Sequence, residues 1–341
     1  MKKTTIKDIA RLAGVSPSSV SLVINNRPGV SEQTRKNVME IIKKMNFTPN
    51  QSSRSLVMKK TKNIAVLFNS DSQPLDHLFH ADLNRSILDR CTRSGYNLVF
   101  TSFQISNSVP PVLPDIIRSY GVDGIITYGY IPLALILELN SLEIPYILLD
   151  SHQSETKTTS LFVDYELAAK IAMNYLIKCG HNKIAYIGSN FPPQYSQKTF
   201  NGYRSVMEEN NYQVPLSWIQ MHSKDVDNED IAVKQMSEIL SSNSLPTAVF
   251  CAADVFAIGA ILCIKEHGLS VPHDISVIGI DDILVSRYIE PALTTVRIDR
   301  NSLANLGWKL LVAAMEQDSI TYEKHFYSEF SLIERNSVAK I

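Results

Sequence analysis

Apolar residues recur at helical spacing in three short segments of residues 1–47. Thr5 can cap the first segment, and Gly14 ends it. Ser16 can cap the second, which puts Pro17 at the first helical position, where its missing N–H costs nothing. Ser31 can cap the third, so the pattern predicts three short helices packed on one another. The apolar positions that supply this packing are Ile9, Leu12, Ala13, Val20, Val23, Ile24, Val38, Ile41, Ile42 and Met45.

The second segment begins with small polar residues that lie off its apolar face. Two short helices joined at a glycine, the second presenting its N-terminal end, are typical of a helix-turn-helix that enters the DNA major groove. Serine hydroxyls there can hydrogen-bond to base edges or phosphates, and Leu22 can pack on a thymine methyl. Periodicity alone also fits a plain capped three-helix bundle. The residues of this region predicted to contact DNA are Thr5, Ser16, Pro17, Ser18, Ser21, Leu22 and Asn25.

From residue 61 onwards, short apolar runs alternate with helical patterns. This alternation predicts parallel sheets with helices on both faces, and therefore an α/β fold class. Because the runs fall into two sets, we expect a body of two similar lobes after the helix-turn-helix domain. The runs predicted as strands are 63–69, 96–103, 123–129 and 146–150 in the first set, then 183–189, 247–254 and 275–282 in the second.

Polar residues stand at the carboxyl ends of these predicted strands, where open parallel sheets bind ligands. They are Asn69, Tyr128, Asp150, Asp254 and Asp281. Two lobes with such residues facing a common cleft can close on a small molecule.

The formal net charge of −1 on 341 residues conceals an asymmetry. Residues 1–62 carry 13 Lys and Arg against three acids, a formal charge of +10, which leaves −11 on the remainder. A basic head on an acidic body favours a polyanion such as nucleic acid as partner, although a solvated basic face has the same composition.

The four cysteines, Cys91, Cys179, Cys251 and Cys263, are scattered among apolar neighbours. This indicates buried free thiols in a reducing cytoplasm. The N-terminal residues show no signal-peptide core, and the apolar runs are too short for a membrane span, so we expect a cytoplasmic protein with no membrane partner.

The segment Ser52–Met58 is flanked by lysines and is too short to be a stable isolated helix. In a dimer, two copies could fold together on the minor groove, with Leu56 wedged between base pairs. Arg54 and Leu56 are the predicted DNA contacts of this segment, and an inert basic linker is the alternative.

With this segment included, the chain resembles the lactose/galactose-repressor (LacI/GalR) family. The resemblance runs from TIKDIARLAGVSPSSVSLVIN through SSRSLVM to VDGII, GHNKIAYIG, PTAVFCAADVFAIGA, VPHDISVIGIDD and PALTTV, in family order. It implies a helix-turn-helix domain at 1–48, a hinge at 49–61 and a body at 62–341 similar to periplasmic sugar-binding proteins. The family body crosses between lobes three times, here expected near Ser160–Asp164, Pro291–Val296 and Tyr322–Phe326. The first lobe would then span about 62–161 and 294–324, and the second about 162–293 and 325–341.

The resemblance also implies an effector site, with each residue carried over from a family motif. Thr199 stands where many members have Arg, and Ala253 where many have Asn. Loss of the arginine makes a phosphorylated or carboxylated ligand less favourable, unless Lys198 substitutes for it. Two departures concern DNA instead. Leu22 stands where Arg or His is common, which implies a different operator half-site. Val57 stands where Lys is common, which removes one minor-groove donor. Carboxylates beside aromatic rings suit a polyhydroxyl ligand, so a sugar is the expected effector. The predicted effector contacts are Phe79, His80, Tyr128, Asp164, Tyr195, Thr199, Asp254 and Asp281.

Three classes of function fit a basic head joined to an α/β body. An α/β enzyme with a basic head should show a cofactor loop or a catalytic constellation, but GxGxxG after a strand, GxxxxGK[ST], HExxH and GxSxG are all missing. A solute-binding transport protein should carry an export signal and no helix-turn-helix. The sequence therefore predicts a DNA-binding transcriptional regulator, without enzymatic activity, cofactor or metal. We expect a homodimeric repressor on a pseudo-palindromic double-stranded operator, controlled by a small molecule that either induces or corepresses.

Overall fold

A computed structural model describes residues 4–24, 27–45, 47, 60–70, 78–105, 110–150, 158–190, 193–222, 228–316, 324–327 and 329–341. The predicted DNA contacts Asn25, Arg54 and Leu56 lie outside the described residues, as does most of the predicted hinge. The chain divides into two compact units. One comprises Met1–Lys62 with Gly121–Asp123, and the other comprises Asn63–Tyr120 with Gly124–Ile341.

The first unit contains the three predicted helices, α1 (Ile6–Ala13), α2 (Pro17–Ile24) and α3 (Glu32–Lys44). Thr5 and Asp8 form a reciprocal capping box at the start of α1. Gly14 ends that helix at φ 67°, a left-handed conformation that glycine adopts without strain. Ser31 caps α3 through the amide of Thr34.

A small core holds these helices together. Its buried residues come from all three of them: Ile9, Ala10, Val20, Val23 and Val38. Ala13, Ile24, Ile41 and Ile42 pack at its edge, as the periodicity predicts. Leu12 and Met45 are exposed instead, at 52% and 39%, so the prediction that they contribute to this packing is wrong. Three short helices bury a narrow stripe, and residues at its margin remain in solvent.

The second unit contains two six-stranded sheets. The first runs in the order β11-β5-β4-β3-β1-β2, and all its pairings are parallel. Its strands are β1 (Asn63–Asn69), β2 (Asn97–Phe103), β3 (Gly124–Tyr128), β4 (Tyr146–Leu149), β5 (Ser160–Val163) and β11 (Lys324–Tyr327). The helices of this lobe are α4 (Leu78–Arg93), α5 (Asp115–Arg118), α6 (Leu133–Leu142) and α11 (Arg300–Glu316).

The second sheet runs in the order β12-β10-β9-β8-β6-β7 and is parallel except for β12, which pairs antiparallel to β10. Its strands are β6 (Ile184–Ser189), β7 (Ile219–His222), β8 (Ala248–Cys251), β9 (Ser276–Asp281), β10 (Thr294–Ile298) and β12 (Phe330–Ile333). The helices of this lobe are α7 (Tyr165–Lys178), α8 (Pro193–Glu209), α9 (Glu229–Leu240) and α10 (Asp254–Glu266).

The chain passes from one sheet to the other at three places. The first change follows β5, within the predicted range Ser160–Asp164. The second follows β10, because Thr294–Ile298 pairs with β9 of the second sheet, so the predicted boundary at 294 falls too early. The third follows β11, because Lys324–Tyr327 pairs with β5 of the first sheet, so the boundary at 325 is also too early. Both strands are short and contain polar as well as apolar residues, and the sequence pattern does not show which sheet will accept them.

Helix α4 begins at Leu78, directly at the edge of the first sheet. This places Phe79 and His80 in its first turn, at the carboxyl edge of the first sheet beside Tyr128.

Candidate DNA-reading face and effector cleft

The start of α2 presents a small, polar, exposed surface. Ser16, Pro17 and Ser18 are all exposed. The Ser16 hydroxyl accepts a hydrogen bond from the amide of Ser19 at 3.1 Å, which caps the helix. Because Val20 and Val23 are buried on the opposite face, this end of the helix remains open to a partner.

Leu22 and Ser21 are half-buried on the next turn of α2. A Cβ atom at Gly29 would lie 3.3 Å from Cδ1 of Leu22, so the glycine leaves room for the leucine side chain. The segment that contains Gly29 is held close to Leu22, because the amide of Arg27 donates to the carbonyl of Leu22 at 2.9 Å. Leu22 therefore has a supported position on the face that carries the serines. Thr5, also predicted to contact DNA, is exposed, but its hydroxyl already donates to Asp8 at 2.7 Å.

In the second unit, three aromatic side chains of the first lobe pack against one another at the cleft. The imidazole of His80 stacks on the ring of Tyr128, with centroids 4.7 Å apart, and meets the ring of Phe79 edge-on at 5.5 Å. Tyr128 is almost fully buried, and its hydroxyl donates to Asn84 at 3.0 Å. Burial raises the pKa of Tyr128 to about 12, so the phenol stays neutral. The structure thus brings together three predicted effector contacts as one aromatic wall.

Tyr165 links this edge to the second lobe. Its hydroxyl donates to the Asp150 carboxylate at 2.7 Å, and its ring meets that of Tyr195 edge-on at 4.6 Å. Burial and then the negative charges of Asp150 and Asp281 raise the pKa of Tyr165 well above its ordinary value. Of the two acids, Asp150 at the end of β4 accepts a hydrogen bond from this tyrosine, and Asp281 at the end of β9 in the other lobe lies near enough for its charge to act on it.

Burial changes the titration of Asp150. Burial raises its pKa to about 6, while hydrogen bonds from Tyr165 and the Val163 backbone act in the opposite direction. Because the pKa of the folded state is above the ordinary value, the protonated form gains stability on folding, and that gain is lost as pH rises through about 6. A ligand hydroxyl that donates to the ionised carboxylate is then favoured above this pH.

Two residues predicted to contact the effector make hydrogen bonds to backbone groups close to them in the sequence. The Asp164 carboxylate caps α7 by accepting from the amide of Leu167 at 3.1 Å. Thr199 is fully buried, and its hydroxyl donates to the carbonyl of Tyr195 at 2.9 Å. Neighbouring Lys198 forms an ion pair with Glu166 at 3.6 Å, so it does not replace the arginine that Thr199 lacks.

Asp254 lies at the start of α10, inside the second lobe. It is fully buried and accepts from the amide of Ile283 at 3.0 Å and the hydroxyls of Ser286 at 2.6 Å and Thr295 at 2.5 Å. A Cβ at Gly279 would come within 2.3 Å of its Oδ1, so strand β9 packs directly over it. Its predicted role as an effector contact is therefore replaced by a structural one.

Two residues that complete the cleft are not among the contacts predicted from the sequence. Tyr165 directly follows the predicted acid Asp164, and Arg300 lies just beyond β10. Arg300 stands between predicted contacts of both lobes, Phe79 and Asp281. The sequence indicates Asp150 only as a polar residue at the end of a predicted strand. The contacts of Tyr165 and Arg300 depend on how the two lobes meet, so no sequence pattern predicts them.

Across the described part of the chain, His, Cys, Asp and Glu side chains do not gather in any group of three that could hold a metal ion. Within those same residues, no helix has both the length and the apolar character required to cross a membrane.

These features define a class of protein. A capped three-helix unit with an exposed polar helix start precedes two parallel-sheet lobes whose strand ends share a cleft. Such a chain joins a helix-turn-helix domain to a ligand-binding body like that of periplasmic binding proteins.

Comparison with known proteins gives the family. Residues 5–50 match the model of bacterial regulatory proteins of the lacI family, and residues 173–338 match that of the periplasmic binding protein-like domain. The chain is 31% identical over 341 residues to the transcriptional repressor PurR of Actinobacillus pleuropneumoniae, covering 99% of both chains. It is also 31% identical to the ribose operon repressor of Haemophilus influenzae, over 93% of this chain and 94% of that one.

Two solved structures share the fold. The Lac repressor dimer bound to operator and the anti-inducer ONPF superposes with a TM-score of 0.83 at 24% identity, over 99% of this chain and 100% of that one. A LacI family regulator from Enterococcus faecium with bound ribose gives 0.70 at 24% identity, over 82% and 99%. This chain belongs to the LacI family of bacterial regulatory proteins. It is a DNA-binding transcriptional regulator and not an enzyme.

Proposed function

We propose that this chain is a homodimeric cytoplasmic repressor whose affinity for an operator is set by a neutral, polyhydroxylated ligand, a sugar, in the cleft between its lobes. The observation that carries the ligand class is the pairing of an aromatic wall on the first lobe with strand-end carboxylates from both lobes. Ligand pockets combine apolar and aromatic lining with a few polar groups that fix orientation. A carboxylate can accept hydrogen bonds from more than one hydroxyl, which suits a sugar.

The charges around the cleft support a neutral ligand over an anionic one. The charges of Asp150 and Asp281 act on Tyr165 from opposite lobes, and a bound anion would be repelled by both. The neighbouring cations are already engaged, because Arg300 pairs with Asp82 and Lys198 pairs with Glu166. The ribose named in one relative and bound in one solved structure belongs to the same chemical class.

A matched ligand panel tests this class. We expect D-ribose or D-glucose to raise the melting temperature of the full chain, because a ligand that binds only the folded state stabilises it by mass action. At a concentration about 100 times the dissociation constant, the gain is about 2.7 kcal/mol. D-glucuronate and glucose 6-phosphate, which add a charge to the same ring, should give no shift. Stabilisation by the anions, or by adenine alone, would overturn the sugar assignment.

On DNA, we propose that the start of α2 lies in the major groove. Ser16, Pro17 and Ser18 are the exposed residues at this end, and their small side chains allow close approach of the backbone. Leu22, supported beside Gly29, is placed to pack on a thymine methyl. The basic charge of residues 1–62 would supply phosphate contacts, so binding should weaken steeply as salt rises.

The half-site preference should change when this face is altered. Combining Ser18→Ala with Leu22→Arg removes a hydroxyl and replaces a methyl-packing side chain with one that reads guanine. We expect the selected half-site to change at the corresponding base pairs, with about 1–3 kcal/mol of discrimination at each. Selection from a random oligonucleotide pool measures this. Arg11→Gln, an exposed charge outside α2, is the control and should preserve the preferred sequence; an unchanged preference in the double variant would remove these residues from base reading.

A further inference from the structure

Arg300 lies at the crossing between the lobes and contacts both of them. It begins α11, which packs on the first lobe, and its Nη2 lies 3.4 Å from Oδ2 of Asp82 on α4. The same guanidinium donates to the carbonyls of Asp281 at 2.5 Å and Asp282 at 2.9 Å, at the end of β9 in the second lobe. Only 11% of the arginine side chain is exposed.

The backbone that Arg300 contacts has an uncommon conformation. Asp281 has φ 124° and Asp282 has φ 53°, values that side-chain-bearing residues rarely adopt. Such conformations persist where the surroundings hold them in place. The Asp282 carboxylate is held by Arg297 at 2.6 Å and Arg335 at 2.5 Å, which are hydrogen bonds within the second lobe. Arg300 adds hydrogen bonds to both carbonyls from the crossing itself.

Arg300 also reaches the aromatic wall. Its guanidinium carbon lies 5.5 Å from the centroid of the Phe79 ring, a cation–π distance. One planar side chain thus lies against a ring of the first lobe and donates to the backbone of Asp281 in the second. Lysine could not reproduce this arrangement, because an ammonium lacks the flat fork of a guanidinium.

We propose that Arg300 is a positioning residue for ligand binding: it holds the Asp281 backbone in its positive-φ conformation and fixes it relative to Phe79 across the lobes. The ligand-binding part of this proposal rests on the proposed function, whereas the backbone-holding part does not. Arg300 acts through Asp281 and Phe79, and loss of its fork lowers ligand affinity by misplacing both.

Arg90 offers a matched control. It also joins α4 to α11, donating to the carbonyl of Asn301 at 3.1 Å and to its side-chain oxygen at 2.8 Å. Its contacts remain within the first lobe. Arg90→Gln therefore removes a comparable set of hydrogen bonds without touching the second lobe.

The first measurement needs no ligand. Hydrogen–deuterium exchange of the full chain should show faster exchange in residues 279–284 for Arg300→Gln, and wild-type exchange there for Arg90→Gln. Unchanged exchange in that segment for Arg300→Gln would overturn the proposal, whichever ligand the protein binds.

The second measurement is calorimetric titration with D-ribose and D-glucose. We expect Arg300→Gln to weaken binding of the sugar by about tenfold or more, a change of at least 1.4 kcal/mol, and Arg300→Lys to lie between it and the wild type. Arg90→Gln should bind as the wild type does, even where both glutamine variants lose similar melting temperature. Equal sugar affinity in Arg300→Gln and wild type would refute the positioning role. Failure of the wild type to bind either sugar would count against the proposed function, and the exchange experiment would still decide the role of Arg300.

Discussion

Replacing Asp254 with alanine is expected to destabilise the protein by about 3 kcal/mol or more, because each buried donor that loses its acceptor costs about 1–3 kcal/mol. The carboxylate ties together three parts of the second lobe. From the start of α10 it accepts from Ile283 and Ser286, in the segment after β9, and from Thr295 in β10. Without it, these donors remain buried and unsatisfied, and the alanine leaves a gap beneath β9. Urea denaturation of the full chain measures the loss.

In the same experiment, Asp254→Asn keeps the shape of the side chain but removes its ability to ionise. Burial raises the pKa of Asp254 to about 7. Because the folded-state pKa lies above the ordinary value, the wild type should lose stability as pH rises through about 7, and the asparagine variant should lack that part of the pH dependence. The structural role would be contradicted if the free energy of unfolding of the wild type and of Asp254→Asn changed in parallel between pH 5 and 8. It would also be contradicted if Asp254→Ala were as stable as the wild type.

Replacing Asp281 with alanine is expected to abolish the ligand response while leaving the ligand-free protein able to bind DNA. Hydrogen bonds to a charged group contribute about 1.5–3 kcal/mol each, so loss of two from a sugar corresponds to a decrease in affinity of about 100-fold or more. The side chain stands at the end of β9, in the unit that does not contain the helix-turn-helix. Titration of the sugar, together with fluorescence anisotropy on a selected operator, measures both effects.

Asp281→Asn and Asp274→Asn complete this comparison. Asparagine at 281 tolerates positive φ and retains one acceptor oxygen, so its affinity for the sugar should lie between those of the wild type and the alanine variant. Asp274 is an exposed acid of the same lobe that accepts from Ser270. Its asparagine variant should respond normally, and a normal response in Asp281→Ala would discard the cleft assignment.

Local rules in the sequence predicted the local structure well. Thr5, Gly14, Ser16 and Ser31 cap or end helices where the sequence places them, because capping depends on residues only three positions apart. Runs of apolar residues also predicted seven of the strands, namely β1 to β4, β6, β8 and β9, because burial on both faces of a parallel sheet needs no distant information.

The sequence could not predict contacts that depend on where distant segments meet. Asp254 and Asp281 look alike as acids at strand ends, yet the hydroxyls of Ser286 and Thr295 enclose the first of them. Arg300 and Tyr165 carry no motif, and their importance follows from the meeting of two lobes. The same limit explains the misplaced boundaries, since pairing of β10 and β11 is decided by the neighbouring strands of each sheet.

The proposed mechanism joins the two units through a shared equilibrium. A ligand that contacts the ring wall of one lobe and the carboxylates of both favours the lobe arrangement that satisfies all these contacts. Coupling of about 1–3 kcal/mol would change operator affinity by about 5- to 150-fold. A ligand that lowers this affinity is an inducer, and one that raises it is a corepressor.

The most direct test is an operator-binding measurement with and without sugar. The full chain is used to select sequences from a random duplex pool, and its affinity for the selected duplex is then compared with that for random competitor, in the presence and absence of the sugar that stabilises it. We predict enrichment of an inverted repeat and a change in its affinity of about fivefold or more on adding the sugar. Equal affinity for selected and random duplexes, under both conditions, would contradict the account.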